Sequence, residues 1–214
     1  MSTNVDRPCS EVMPVGLVRA YLGLGANLGD APATLDWAIG QLGRLPGVRV
    51  RGVSRMFLTR PVGVEDQPEF HNAAVAIDVR VRGLPAEEAM SLLARLKAIE
   101  RAAGRRPGRR WGPRELDIDL LVFGRHVIHV PRDAAARSGD PKRTGVQWLD
   151  VPHVAAAHRA FALAPLADLA PGLVPPGWGV SVAGALRRRI AIEGSDAVRP
   201  VATWDQGRWV RTST

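Results

Sequence analysis

With 214 residues, the chain has room for one domain of ordinary size plus appended segments. Its 46% hydrophobic and 23% charged residues are those of a soluble globular protein, and no apolar stretch approaches the roughly 18 residues of a membrane span. The formal charge of +8, from 29 Lys plus Arg against 21 Asp plus Glu, predicts attraction to polyanions, and the single cysteine, Cys9, excludes an internal disulfide.

Met1 to Leu17 reads as a flexible leader without the ~7 to 15 residue apolar run of a secretory signal, which gives a cytoplasmic expectation. Val18 to Gly25 is a short apolar run ended by glycines, a buried strand, and Asp30 to Leu45 follows with Leu35, Ala38, Ile39 and Leu42 at helical spacing. Val48 to Leu58 and Phe70 to Val81 read as two strands, joined by a loop of turn formers from Thr59 to Pro68. Pro85 to Gly104 is the clearest helix, with Pro at its start, Glu87 and Glu88 in its first turn, an apolar face through Leu92, Leu93, Leu96 and Ile99, and Gly as its stop. Leu116 to Phe123 is a further strand. The order β-α-β-β-α-β predicts a ferredoxin-like α+β sandwich, an antiparallel sheet with helices on one face. Residues 18–175 are expected to form the domain, with a polar, aperiodic insertion over 131–147, a helical segment over Val154 to Leu169 broken at Pro165, and a Pro/Gly/Arg-rich extension over 176–214. Trp178, Trp204 and Trp209 should dock if that extension is ordered.

The most informative run is Arg110 to Asp119. Arg105, Arg106, Arg109, Arg110 and Arg114 fall between Gly104 and Arg114 with no acid among them, a focused anion site, since guanidinium forks match phosphate oxygens. On a strand, Asp117 and Asp119 point to the same face about 6 to 7 Å apart, and a Mg²⁺ bridging them to substrate phosphates would relieve their repulsion. A solvated sheet face paired with cations is the alternative; the five nearby arginines weigh towards metal and phosphate. An RNA-binding surface is a second reading of the same charge, but Tyr21 and Phe70 are the only aromatics of the first and third strands, too few for a base-stacking platform. Gly23 to Gly29 is only superficially a dinucleotide fingerprint, and no P-loop motif is present. Trp111 could stack on a planar ring or bury itself, and His153 could contact a phosphate or simply cap a turn.

Taken together, these segments resemble 6-hydroxymethyl-7,8-dihydropterin pyrophosphokinase of folate biosynthesis. The likeness is carried by Tyr21 to Asp30, Arg60 to Gly63 with Asp66 to Ala73, Ile99-Glu100 with Gly104-Arg105, Arg110 to Asp119, Val151-Pro152-His153 and Arg159-Ala160-Phe161, and covers roughly Val18 to Pro171. The resemblance implies transfer of pyrophosphate from ATP to the pterin hydroxymethyl group with release of AMP. It implies Asp117 and Asp119 as ligands of two Mg²⁺ ions, Arg105 and Arg114 as phosphate-handling arginines, and Trp111 with Arg114 in a mobile loop over the site. The pterin would lie against Thr59, Val62, Phe70, Asn72 and Phe161, and ATP against Lys97, Glu100, Arg110, His153 and Arg159. ATP and the pterin would be its partners, with no nucleic acid or membrane, in a monomer. Ala26, Arg60 and Val154 depart from the family pattern, and either Arg106 or Arg109 could supply the second loop arginine. A nucleic-acid-binding module and a metal-dependent nucleotide hydrolase are the competing functions.

Overall fold

The computed structural model describes residues 16–63, 66–105, 112–137 and 145–211. Cys9, Arg106, Arg109, Arg110 and Trp111 lie outside these, as do all but the last two residues of the expected leader.

The first strand, β1 (Gly16–Ala26), begins inside that leader and lies inside the sheet, with a partner on each side. It pairs antiparallel with β4 (Phe70–Val81) on one side and with β5 (Asp117–Phe123) on the other. The stretch expected as one strand over Val48 to Leu58 is two, β2 (Val48–Val53) and β3 (Met56–Thr59), each antiparallel to β4. Ser54 causes the break. Its hydroxyl accepts from the Ala74 N–H at 2.8 Å and donates to the Arg55 carbonyl at 2.6 Å, so a side chain replaces a ladder bond.

Helix α1 (Ala31–Arg44) starts where the Asp30 carboxylate accepts from the Ala33 N–H. Helix α2 (Pro85–Ala102) has no side-chain cap at Leu84; instead Glu88 Oε1 accepts from the N–H groups of Arg82 and Gly83 at 2.8 and 3.1 Å. At its far end Gly104 takes φ +89°, a left-handed value that a side chain resists. The Arg105 N–H then bonds back to the Glu100 carbonyl at 3.1 Å. That glycine turns Arg105 back onto the helix it has just left.

Helices were expected on one face only, and the structure has them on both. Helices α1 and α2 bury Leu35, Leu42, Leu92 and Leu96 against Leu22, Leu24, Val75 and Ile77. The other face carries Leu121 and Val122, covered by Leu163 and Leu166 of α3 (Ala160–Leu169) and Val182 and Ala185 of α4 (Val182–Glu193). A strand reading Leu-Leu-Val-Phe is apolar in both directions, so both faces of its sheet need cover. The break expected at Pro165 is likewise absent; α3 runs through it, held by the buried Leu163 and Leu166.

The segment expected as an extension is part of the sheet. After α4, β8 (Val198–Asp205) pairs antiparallel with β3, and β9 (Arg208–Arg211) pairs with β8. Trp204 and Trp209 meet edge to face with centroids 4.8 Å apart and pack on the first core, while Trp178 packs on the second. The strand order is therefore β5-β1-β4-β3-β8-β9, with β2 also on β4. A separate hairpin of β6 (Ile128–Pro131) and β7 (Trp148–Val151) frames the aperiodic insertion, whose described part includes a 3₁₀ turn, Ala134–Ala136, capped by Asp133.

Candidate active site

One open pocket of about 830 Å³, counting the solvent at its mouth, lies at the end of β1, β4 and β5. Its lining collects Thr59, Val62, Phe70, Asn72, Arg114, Asp117, Asp119, Arg159 and Phe161, which the sequence scatters over more than a hundred positions. Every residue expected at the pterin lines it, with both aspartates and two of the expected phosphate or ATP residues. Arg105, Lys97, Glu100 and His153 lie outside that lining.

The polar end of the pocket is built from behind. Lys97 and Glu100 are buried at 7% and 2% exposure, and they hold both backbone groups of Ile118, the residue between the two aspartates. The Ile118 N–H donates to Glu100 Oε1 at 2.7 Å, and Lys97 Nζ donates to the Ile118 carbonyl at 3.1 Å and to Glu100 Oε1 at 2.6 Å. Strand β5 is at the edge of the sheet, so this side-chain pair from α2 takes the place of a neighbouring strand. Arg105 pairs with Glu100 and, at 2.5 Å, with Asp117 Oδ1. Lys97 and Glu100 thus orient the acidic strand rather than face the pocket.

Electrostatics follow from this arrangement. Burial pushes the Asp117 carboxyl up, but Lys97, Arg105 and Arg114 outweigh it and bring the group down to about 2. Glu100 is raised, chiefly by burial, against the pull of Lys97. Asp117 is therefore a fixed anion at neutral pH, suited to holding a cation and unsuited to taking a proton. Among the described residues no cluster of three or more His, Cys, Asp or Glu could cage a metal. A pair of carboxylates fits a hard cation such as Mg²⁺, which takes its remaining oxygens from water and phosphate.

The other end of the pocket is apolar with one amide. Asn72, 6% exposed, donates from Nδ2 to Thr59 Oγ1 at 2.8 Å. Its Oδ1 lies against Gly25, where an added Cβ would sit 2.9 Å away. Gly25 leaves room for that amide and Gly23 for Leu121, both strand glycines that let neighbours approach. Arg159 lies over the Phe161 ring at 5.6 Å. His153 follows a cis Val151–Pro152 bond and is tied to β5 through its N–H on the Leu121 carbonyl at 2.9 Å.

Asn27 was not singled out by the sequence. Buried at 5% exposure, its Nδ2 donates to Gln67 Oε1 at 3.1 Å and the Pro68 carbonyl at 2.9 Å. Its Oδ1 accepts from the Arg114 N–H at 2.7 Å, and its own N–H bonds to the Arg114 carbonyl at 3.0 Å. It joins the Gln67-Pro68 turn to the base of the arginine segment. An Asn between glycines just past an apolar run was the available signal, as such a side chain commonly bonds to backbone. Arg60 also lines the pocket unforeseen.

Comparison with known proteins bears on this site. A family model described as 7,8-dihydro-6-hydroxymethylpterin-pyrophosphokinase matches residues 21–171. The chain is similar to the 2-amino-4-hydroxy-6-hydroxymethyldihydropteridine pyrophosphokinase of Pseudomonas aeruginosa, 39% identical over 74% of this chain and 84% of that protein. It is 41% identical to the protein of the same name from Methylorubrum extorquens over 74% of this chain and 86% of that one. In fold it matches the Plasmodium falciparum HPPK-DHPS crystallised with pteroate, at TM-score 0.67 and 14% identity. That match covers 92% of this chain and 48% of the other, so this chain spans about half the length of the solved protein.

Proposed function

This chain belongs to the 7,8-dihydro-6-hydroxymethylpterin-pyrophosphokinase family, and from that premise we propose how its pocket divides the work of transfer. The reaction is transfer of pyrophosphate to the hydroxymethyl group of the dihydropterin in folate biosynthesis, with ATP as co-substrate. The hydroxymethyl oxygen attacks the β-phosphorus of ATP, the bond from that phosphorus to the α-bridging oxygen breaks, AMP leaves, and the hydroxyl proton passes to solvent.

The observation that carries the reading is the lining of one pocket: an aromatic and amide end of Thr59, Val62, Phe70, Asn72 and Phe161 meets an acidic end of Asp117 and Asp119. A pterin is a flat ring with a hydrogen-bonding edge, suited to the first end. Asp117 and Asp119 would hold Mg²⁺, two ions by the family pattern, which neutralises phosphate charge during transfer. Arg114 and Arg159, with Arg110, are the proposed partners of the triphosphate, and Trp111 is proposed to belong with Arg114 to the loop over the site; Arg110 and Trp111 lie outside the described residues. Arg105 acts at Asp117, and His153 is proposed beside the nucleotide. Lys97 and Glu100, which the resemblance implied at ATP, serve the nucleotide indirectly by setting β5. Phosphoryl-type transfer needs positioning and charge neutralisation more than covalent help, which suits a site whose half-buried Asp117 stays ionised.

The finer fold reading is a ferredoxin-like βαββαβ core, supported by the order β5-β1-β4-β3 with α1 and α2 on a common face. The catalytic unit is proposed to span 18–175, entered through Gly16 and Leu17 of β1, with the residues before β1 a leader and 176–214 an extension folded onto its sheet. We further place the protein in the cytoplasm as a monomer; no helix among the described residues is long and apolar enough to cross a membrane. Incubation with Mg-ATP and hydroxymethyl-dihydropterin should release AMP in step with pterin diphosphate. Release of ADP, or of phosphate without pterin, would overturn the reading.

A further inference from the structure

The family match ends at residue 171, yet the chain continues through α4, β8 and β9, and β8 returns to the pterin end of the pocket. Without it β3 would be the edge of the sheet, because β4 covers only one side. Thr59 is the last residue of β3, and it lies opposite Val198 on one side and Phe70 on the other. Thr59 is also the acceptor that holds the Asn72 amide, so β8 braces the strand end that sets the only buried amide among the pocket-lining residues described.

Two ion pairs sit at the same level. Arg60, next to Thr59, donates to Asp196 Oδ2 at 2.6 Å, and Arg199 Nη2 donates to both oxygens of Glu69, next to Phe70, at 2.8 and 2.9 Å. One pair thus ties each shoulder of the Thr59–Phe70 rung to the tail. Both pairs are exposed, so each alone is weak and salt-screened. The backbone ladder sets the position and the charges fix its register.

We propose that the C-terminal strand β8, with Asp196 and Arg199, is a positioning element for pterin binding that lies outside the family-matched region. The inference rests on the assignment of this pocket to the pterin. Arg199 and Glu69 do not line the pocket, so they act through Thr59 and Phe70.

The test is steady-state kinetics by AMP release with each substrate varied in turn. Arg199→Glu and Glu69→Arg should each raise the KM for the pterin about three- to fivefold, as expected for loss of an exposed pair made repulsive. Their kcat and KM for ATP should stay within about twofold. The double exchange E69R/R199E should restore the pterin KM, and high salt should narrow the differences. A chain ended after Gly194 should show a larger rise in pterin KM while keeping its ATP affinity. If that truncation unfolds, as read by circular dichroism, the exchange pair decides alone. An unchanged pterin KM in both single variants, or failure of the double exchange to restore it, overturns the positioning role. Lack of AMP release by the unaltered protein would instead overturn the assignment of the pocket.

Discussion

The two ends of the pocket are held by different physics. At the acidic end, a buried Lys97–Glu100 pair grips the backbone between Asp117 and Asp119, and Arg105 spans Glu100 and Asp117. At the apolar end proposed for the pterin, strand register and absent side chains do the positioning: Gly25 opposite Asn72, and Thr59 opposite Phe70. The difference teaches where each end is vulnerable. A charge network fails when one member is removed and its partner is stranded; a packed end fails when an atom is added.

The largest effect should come from the acidic end itself. Asp119→Ala should lower kcat on the order of 10³-fold or more, as expected when a metal ligand is lost, with the circular dichroism spectrum unchanged. Activity within tenfold of the parent would refute the metal role. Next, Glu100→Ala leaves Lys97 buried without its closest acid and frees the Ile118 N–H, which should cost about 3 kcal/mol or more of stability. Thermal melts would register this, and a Tm within a degree of the parent would show that the network is not the support it is taken for. Gly25→Ala addresses the pterin end. A Cβ only 2.9 Å from Asn72 Oδ1 should displace the amide and raise the pterin KM about tenfold, with ATP binding spared. If ATP binding fell equally, the two ends would not be separable.

The smallest effect separates the ends by pH. Asp117, brought from 3.8 to about 2 by its cationic neighbours despite burial, binds protons more readily unfolded than folded. Its contribution is complete above about 3.8 and fades as pH falls towards 2. Asp117→Asn should therefore flatten the acid limb of a denaturation series, whereas Asn72→Ala should leave the slope alone. Equal slopes in all three proteins would argue against the network.

Legibility differed between elements for the same reasons. Helices α1 and α2 were readable because 3.6-residue periodicity and, for α2, a Pro start and an acidic first turn are local. The aspartate spacing was readable because strand period is local too. The split of the second strand at Ser54 was not, since it depends on Ala74 across the sheet. Nor could the tail be seen as sheet, because the partner of β8 is β3, some 140 positions earlier. That Lys97 and Glu100 are buried and grip the backbone of Ile118 was not readable, since helical charges at i and i+3 are ordinarily solvated.

The sequence by itself determined which chemical groups the protein carries, the α+β order of its core, and, through the ordered motifs, the pyrophosphokinase family. Each of these depends on residue identity and short-range spacing. The tertiary structure alone decided that Lys97 and Glu100 hold the backbone of Ile118, that Asn27 joins two loops, that helices cover both faces, and that the C-terminal strand β8 pairs with β3 as far as Thr59. All four are contacts between distant segments, fixed by burial and backbone hydrogen bonding that no local pattern encodes.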